Sequence, residues 1–168
     1  MTKNIVLCGF MGCGKTSVGR RAARLLGREL CDLDQYIQQK EGMAITDIFA
    51  HFGEEGFRER EAQAVEEVSQ QEGMVIASGG GTVLFPHNVE LFHKGGGVIL
   101  FLDVPLAALQ ERLKNDKRRP LLQKPNRRQV IEDLYQARCP LYSAAADITI
   151  DAGAPPIVVA KRIAALGL

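Results

Sequence analysis

This 168-residue chain lacks a long apolar run, a CxxC pair and an excess of charge of either sign. Each absence removes a class of protein. No stretch reaches the roughly 18 apolar residues that a membrane-crossing helix needs. Cys8, Cys13, Cys31 and Cys139 form no CxxC pair and follow no framework spacing. Neither a zinc site nor a set of disulfides is therefore expected, and reduced thiols in a cytoplasmic protein are the simpler reading. Met1 to Gly9 has a short apolar run without a cleavage-site pattern, so it does not read as a signal peptide. Lysine plus arginine number 21 and aspartate plus glutamate 20, a net charge of +1. Such balance provides no global field for nucleic acid or a membrane surface, so any charge that matters is local. There is also no internal repeat and no linker.

What remains is one domain, residues 1–168. Apolar residues make up 46% and charged residues 24%, which excludes a disordered chain, a collagen-like repeat and a coiled coil. Folding buries roughly two-thirds of the unfolded surface at this length, enough for a core.

Strand and helix signals alternate. Ile5–Cys8 is a continuous apolar run suited to a strand buried on both faces. Ser17–Leu26 has helical spacing and ends at Gly27. A second strand is expected over Glu29–Asp32, a helix over Gln35–Lys40, and a short helix capped by Thr46 and ending near His51. A longer helix is expected over Gly56–Gln71 and a third strand over Met74–Ala77. Pro86–Phe92 reads as helical, Val98–Leu102 as the fourth strand, and Pro105 as the start of a helix reaching Leu113. Asn115–Asn126 reads as a basic loop. Arg127–Arg138 reads as a helix stopped before Pro140, Asp147–Ile150 as a fifth strand, and Pro156–Leu166 as a last helix. Alternation of this kind predicts an α/β fold, a parallel sheet with helices on both faces, and ligands bound at the carboxyl ends of the strands.

Gly9-Phe-Met-Gly12-Cys13-Gly14-Lys15-Thr16 matches GxxxxGK[ST] between a strand and a helix. Glycines let successive backbone N–H groups turn inward onto phosphate oxygens, and the helix N-terminus adds its positive end. Lys15 suits the β- and γ-phosphates and Thr16 a Mg²⁺ ion. The chain has no Asn-Lys-x-Asp element for guanine and is short for a motor ATPase, so a kinase of a small acceptor fits best.

Other segments are ambiguous singly. Asp32 and Asp34 could serve a metal and an acceptor hydroxyl, or simply open a helix. Glu54, Arg58 and Glu61 could be a surface ion-pair ladder. Gly79-Gly80-Gly81 after a strand suggests close backbone approach to a ligand, or a flexible turn. Lys117-Arg118-Arg119 is either an exposed charge run or a lid that lays an arginine on phosphate. Cys13, beside Lys15, reads either as a reactive thiol shielded by ATP or as a filler residue. His51, His87 and His93 show no partner pattern.

Jointly, the cradle, Asp32-Leu-Asp34, Gly53-Glu-Glu-Gly-Phe-Arg58-Glu-Arg-Glu61, Gly79-Gly-Gly81, Arg119-Pro-Leu-Leu122 and Arg138-Cys-Pro-Leu-Tyr142 resemble the shikimate kinases. These belong to the nucleoside-monophosphate-kinase-like group of P-loop kinases. The resemblance, over about Ile5 to Ile150, implies transfer of the γ-phosphoryl of ATP to the 3-hydroxyl of shikimate, on the route to chorismate and the aromatic amino acids. It implies a three-layer sandwich around a five-stranded parallel sheet of order 2-3-1-4-5. An acceptor-binding segment at about 33–61 and a lid at about 114–126 are also implied, as is a monomer. By the same resemblance, Gly12, Cys13, Gly14, Lys15, Thr16 and Ser17 serve ATP, and Thr16 and Asp32 serve Mg²⁺, Asp32 through water. Asp34, Arg58, Gly80, Gly81 and Arg138 bind shikimate. Arg119 closes from the lid, Arg112 stacks on adenine, and Asp151 to Pro155 lines its other side. Lys15, Asp34 and Arg119 carry the chemistry. The alternatives are a kinase of gluconate or of a nucleoside monophosphate, and a non-catalytic nucleotide-binding regulator.

Overall fold

Ile5, Val6, Leu7 and Cys8 are all fully buried in the computed structural model, which describes residues 1–168. They form β1 (Ile5–Cys8), the middle strand of a five-stranded parallel sheet of order β2-β3-β1-β4-β5. The other strands are β2 (Leu30–Asp32), β3 (Val75–Ala77), β4 (Val98–Asp103) and β5 (Ile148–Asp151). A strand with neighbours on both edges and helices on both faces has no solvent side, which is why β1 carries an unbroken apolar run.

The register matters more to function than the count of strands. Leu7 lies level with Ala77, Asp32 with Ala77, and Cys8 with Phe101. The segments that follow β1, β2 and β3 therefore leave the sheet at one rim: the glycine loop, Asp32 to Asp34, and Ser78 to Gly81. A parallel sheet puts ligand-binding loops there for this reason.

α1 (Lys15–Leu26) packs against α7 (Pro156–Ala164) and lies close on the sheet through Gly19. A Cβ at Gly19 would stand 3.0 Å from Leu30 Cδ1 and 3.3 Å from Leu7 Cδ1. α2 (Leu33–Glu41) follows β2 directly, α4 is Pro86–Lys94 and α5 is Leu106–Leu113.

Two helices differ from the sequence expectation. α3 runs Ile45–Ser69, with Ala44 rather than Thr46 at its cap, and breaks at Gly53, where φ is 68° and ψ is −176°. The two helices expected on either side of residue 53 are thus joined at one left-handed glycine. α6 runs Arg127–Ala145, straight through Pro140. A proline inside a helix removes one backbone hydrogen bond and costs about 3 kcal/mol. Here the continuation buries Tyr142 completely against Phe101, ring centroids 5.7 Å apart. The Tyr142 hydroxyl also donates to Gly80 O at 2.5 Å. Burial of one large side chain contributes about 1.5–3 kcal/mol, comparable to the loss. His93 also has a partner, Asp147, at 3.0 Å.

Candidate active site

Gly12 and Gly14 have φ of 78° and 96°, a left-handed backbone that only glycine adopts cheaply. Their torsions curl the β1–α1 loop, and Gly14 ends it as the cap of α1. Lys15 folds back over this loop, Nζ donating to Gly9 O at 2.8 Å and Phe10 O at 3.4 Å. Thr16 Oγ1 donates to Asp32 Oδ2 at 2.9 Å, while Asp32 Oδ1 accepts from the Gln35 backbone at 3.2 Å. Asp32 is therefore both a helix cap and the neighbour of the cradle hydroxyl, so the two sequence readings of it coexist.

A cavity of 740 Å³ opens over this rim. Lys15, Thr16, Ser17 and Asp32 line it together with Asp34, Gly80 and Arg138, and with Arg118 and Arg119 of the 114–126 segment. A second cavity of 470 Å³ shares the cradle residues Gly12, Gly14 and Ser17 and is also lined by Cys13, Arg112 and Pro155. Arg112 is fixed there by donating to Gly12 O at 3.0 Å.

Asp34 stands in the first turn of α2. Burial pushes its carboxyl up to about 6, with the charges of Asp32 and Glu61 adding and those of Lys15 and Arg58 subtracting. Such a group is charged at neutral pH yet poised to hold a proton.

Arg58 does not line the cavity. Its Nη1 donates to Glu61 Oε1 at 2.8 Å, and its guanidinium lies 5.1 Å from the Phe57 ring centroid and 4.8 Å from that of Phe85. It packs directly behind Gly81, where a Cβ would approach its Nη2 to 2.8 Å. A Cβ at Gly79 would meet Asp34 Oδ1 at 2.9 Å. None of Gly79, Gly80 and Gly81 has positive φ; at Gly79 and Gly81 close approach of the site's own side chains, not a special turn, requires glycine, whereas a Cβ at Gly80 would meet only Arg138 Nη1 at 4.0 Å, an ordinary contact.

Glu61 is 1% exposed, so the expected surface ladder is instead a buried network. Glu61 accepts from Arg58 and from Thr82 Oγ1 at 3.0 Å, and Thr82 Oγ1 accepts from Gly79 N at 2.9 Å. The network ties α3 to the glycine loop. Sequence reasoning read Glu61 only as a rung of an ion-pair ladder and passed over Thr82, 21 residues away, because nothing local announces their meeting. It also gave no role to Tyr142, although Tyr142 is four residues after Arg138 and hence on the same helix face.

Cys13 differs from one of its two sequence readings. It is 2% exposed, with Sγ 2.8 Å from where a Gly9 Cβ would stand, so it fills space beneath the loop. Burial also pushes the thiols of Cys8, Cys31 and Cys139 up, to about 12, 11 and 11.

A family model described as shikimate kinase matches residues 11–166. The chain belongs to the shikimate kinase family. A shikimate kinase of Psychrobacter cryohalolentis is 45% identical over 150 residues, 89% of this chain and 80% of that one. Among solved structures, a shikimate kinase from Acinetobacter baumannii in complex with shikimate is similar at a TM-score of 0.89 and 41% identity, covering 99% of this chain and 93% of that one. A gluconokinase from Sinorhizobium meliloti aligns at a TM-score of 0.55 and 18% identity over 98% of this chain and 94% of its own. That likeness concerns the fold alone. Family membership makes the chain an ATP-dependent kinase. No helix is long and apolar enough to cross a membrane.

Proposed function

We propose that this chain transfers the γ-phosphoryl of ATP to the 3-hydroxyl of shikimate. The observation that carries the reading is one cavity in which Asp34, Gly80 and Arg138 face Lys15 and Thr16. Shikimate has one carboxylate and three ring hydroxyls. Arginine meets a planar carboxylate with two parallel N–H groups, and a carboxylate accepts from ring hydroxyls. Arg138 and Asp34 thus suit opposite ends of one ring, and Gly80 lines the same cavity.

In this reading Arg58 supplies the second carboxylate contact. Glu61 occupies only its Nη1, so Nη2 is available once the segment 33–61 closes about Gly53. Asp34 accepts a hydrogen bond from the attacking hydroxyl and, with its raised pKa, takes up the proton that leaves. Phosphoryl transfer has a loose transition state, so orientation and charge neutralisation do most of the work. Lys15 exchanges the Gly9 and Phe10 carbonyls for phosphate oxygens, and Arg119 adds a second cation from the lid. Arg112 and Pro155 hold the adenine between them.

Thr16 and Asp32 suit Mg²⁺: both are hard oxygen donors, already 2.9 Å apart. No cluster of three or more acidic, histidine or cysteine side chains forms a complete cage, and Mg²⁺ is commonly held by one or two protein oxygens together with substrate phosphates. Bound there, it would neutralise phosphate charge. A reducing, cytoplasmic setting fits the four unpaired thiols.

Phosphorus NMR of the product tests the reading. Phosphate on the 3-oxygen of shikimate is expected. Phosphate on another oxygen, or ATP consumed without phosphorylated shikimate, would contradict it.

A further inference from the structure

The lid carries five cations between residues 114 and 126: Lys114, Lys117, Arg118, Arg119 and Lys124. Asp116 is its only carboxylate. With so many cations nearby, an exposed aspartate would pair with any of them in turn. Asp116 does not. Its side chain is 7% exposed, and its two oxygens are both committed. Oδ1 accepts from the backbone N–H groups of Arg118 and Arg119 at 3.0 and 2.9 Å. Oδ2 accepts from Nη1 of Arg119. One carboxylate thereby shapes the turn that carries the arginine and also grips the arginine's head.

The rest of the loop supports this. Gln123 Nε2 donates to Asp116 O and to Arg119 O, both at 2.9 Å. Arg127 closes the base of the lid, donating to Leu113 O at 3.0 Å and to Leu122 O at 2.7 Å. The lid is a tied unit with Asp116 inside it. No other N–H of the Arg119 guanidinium has a protein acceptor, and Arg119 borders the cavity that holds Lys15. Arg118 borders the same cavity without a side-chain partner. Balance of charge outweighs burial at Asp116: burial pushes its carboxyl up, but the Arg119 and Arg118 amides and the Arg119 charge bring it below the usual range.

We propose that Asp116 is the positioning residue of the lid, holding the Arg119 guanidinium by one nitrogen so that its remaining N–H groups face the transferring phosphate. An arginine tethered on a long flexible side chain loses rotamer freedom when it meets phosphate; an arginine already held loses less. Of two adjacent arginines, the held one is the catalytic one. The inference rests on the role given to Arg119 above.

Asp116→Asn isolates the grip on the guanidinium, because asparagine keeps an oxygen for the two backbone N–H groups but puts an amide nitrogen, a donor, where Oδ2 accepted from Arg119 Nη1. The turnover of wild type, Asp116→Asn, Arg119→Ala and the double variant form a cycle. Asp116→Asn is expected to lower kcat about tenfold, in keeping with coupling between residues in direct contact, with the KM for shikimate unchanged. In the Arg119→Ala background the same change is expected to cost nothing further. A merely structural role would lower kcat by the same factor in both backgrounds, and that result would overturn the proposal. So would an Asp116→Asn variant as fast as, or faster than, wild type while Arg119→Ala is crippled. If Arg119→Ala itself turns over normally, the role of Arg119 fails first and the inference falls with it.

Discussion

Replacing Asp34 with asparagine should make the protein more stable and less active, by an amount that depends on pH. The folded chain lifts the Asp34 carboxyl from 3.8 to about 6, chiefly by burial and then by the charges of Asp32 and Glu61. At about 1.36 kcal/mol per pKa unit, this corresponds to about 3 kcal/mol. The sign follows from proton binding. Folded Asp34 holds its proton more tightly than unfolded Asp34, so its contribution is most favourable below pH 4 and is lost as pH rises toward 6. Above 6 the ionised carboxylate carries the full cost. Asparagine has nearly the same shape and no charge, so at pH 8 the variant should gain up to about 3 kcal/mol, or roughly 6–12 °C in melting temperature for a chain of this size. At pH 4 the gain should nearly vanish. Urea unfolding of the nucleotide-free protein at pH 4, 6 and 8 measures this directly. A gain that is the same at every pH, or a variant less stable than wild type at pH 8, would refute the reasoning.

Three further outcomes follow from the geometry. Arg58→Ala should raise the KM for shikimate at least tenfold, the loss of a charge-assisted contact, while nucleotide affinity measured by calorimetry stays within about twofold. Tyr142→Phe should cost about 1 kcal/mol in urea unfolding through the lost bond to Gly80 O, and the freed glycine loop should raise the KM for shikimate more than it lowers kcat. Iodoacetamide should leave Cys13 unmodified by peptide mass mapping both with and without Mg-ATP, because Cys13 is 2% exposed before any nucleotide arrives; modification that Mg-ATP prevents would show that the loop opens.

Much of this architecture was legible because it is local. An apolar run, three glycines and a lysine occupy 12 consecutive positions from Ile5 to Thr16, and their order alone specifies strand, anion-binding loop and helix. Sheet order was not legible from periodicity; it came with the family resemblance, since strands that pair across long crossovers leave no local signature. Asp32 was ambiguous because its two roles are not exclusive. Pro140 misled because a helix-breaking signal is weighed against neighbours in sequence, whereas the contacts that outweigh it, Phe101 and Gly80, lie about 40 and 60 residues away. Glu61 misled similarly: spacing of three and four residues predicts a solvated ladder, and only the fold brings Thr82 and the glycine loop over it. Arg58 and Arg138, ambiguous singly, both reach that glycine loop, Arg58 against Gly81 and Arg138 beside Gly80.

The central claim is that one cavity joins a phosphate cradle to a site for a hydroxylated carboxylate. Coupled measurement of ADP release tests it, with Mg-ATP and, separately, shikimate, gluconate, a set of nucleoside monophosphates, or no acceptor. The account predicts rapid release with shikimate and only background with the others. Release driven by gluconate or by a nucleotide, with shikimate silent, would contradict it.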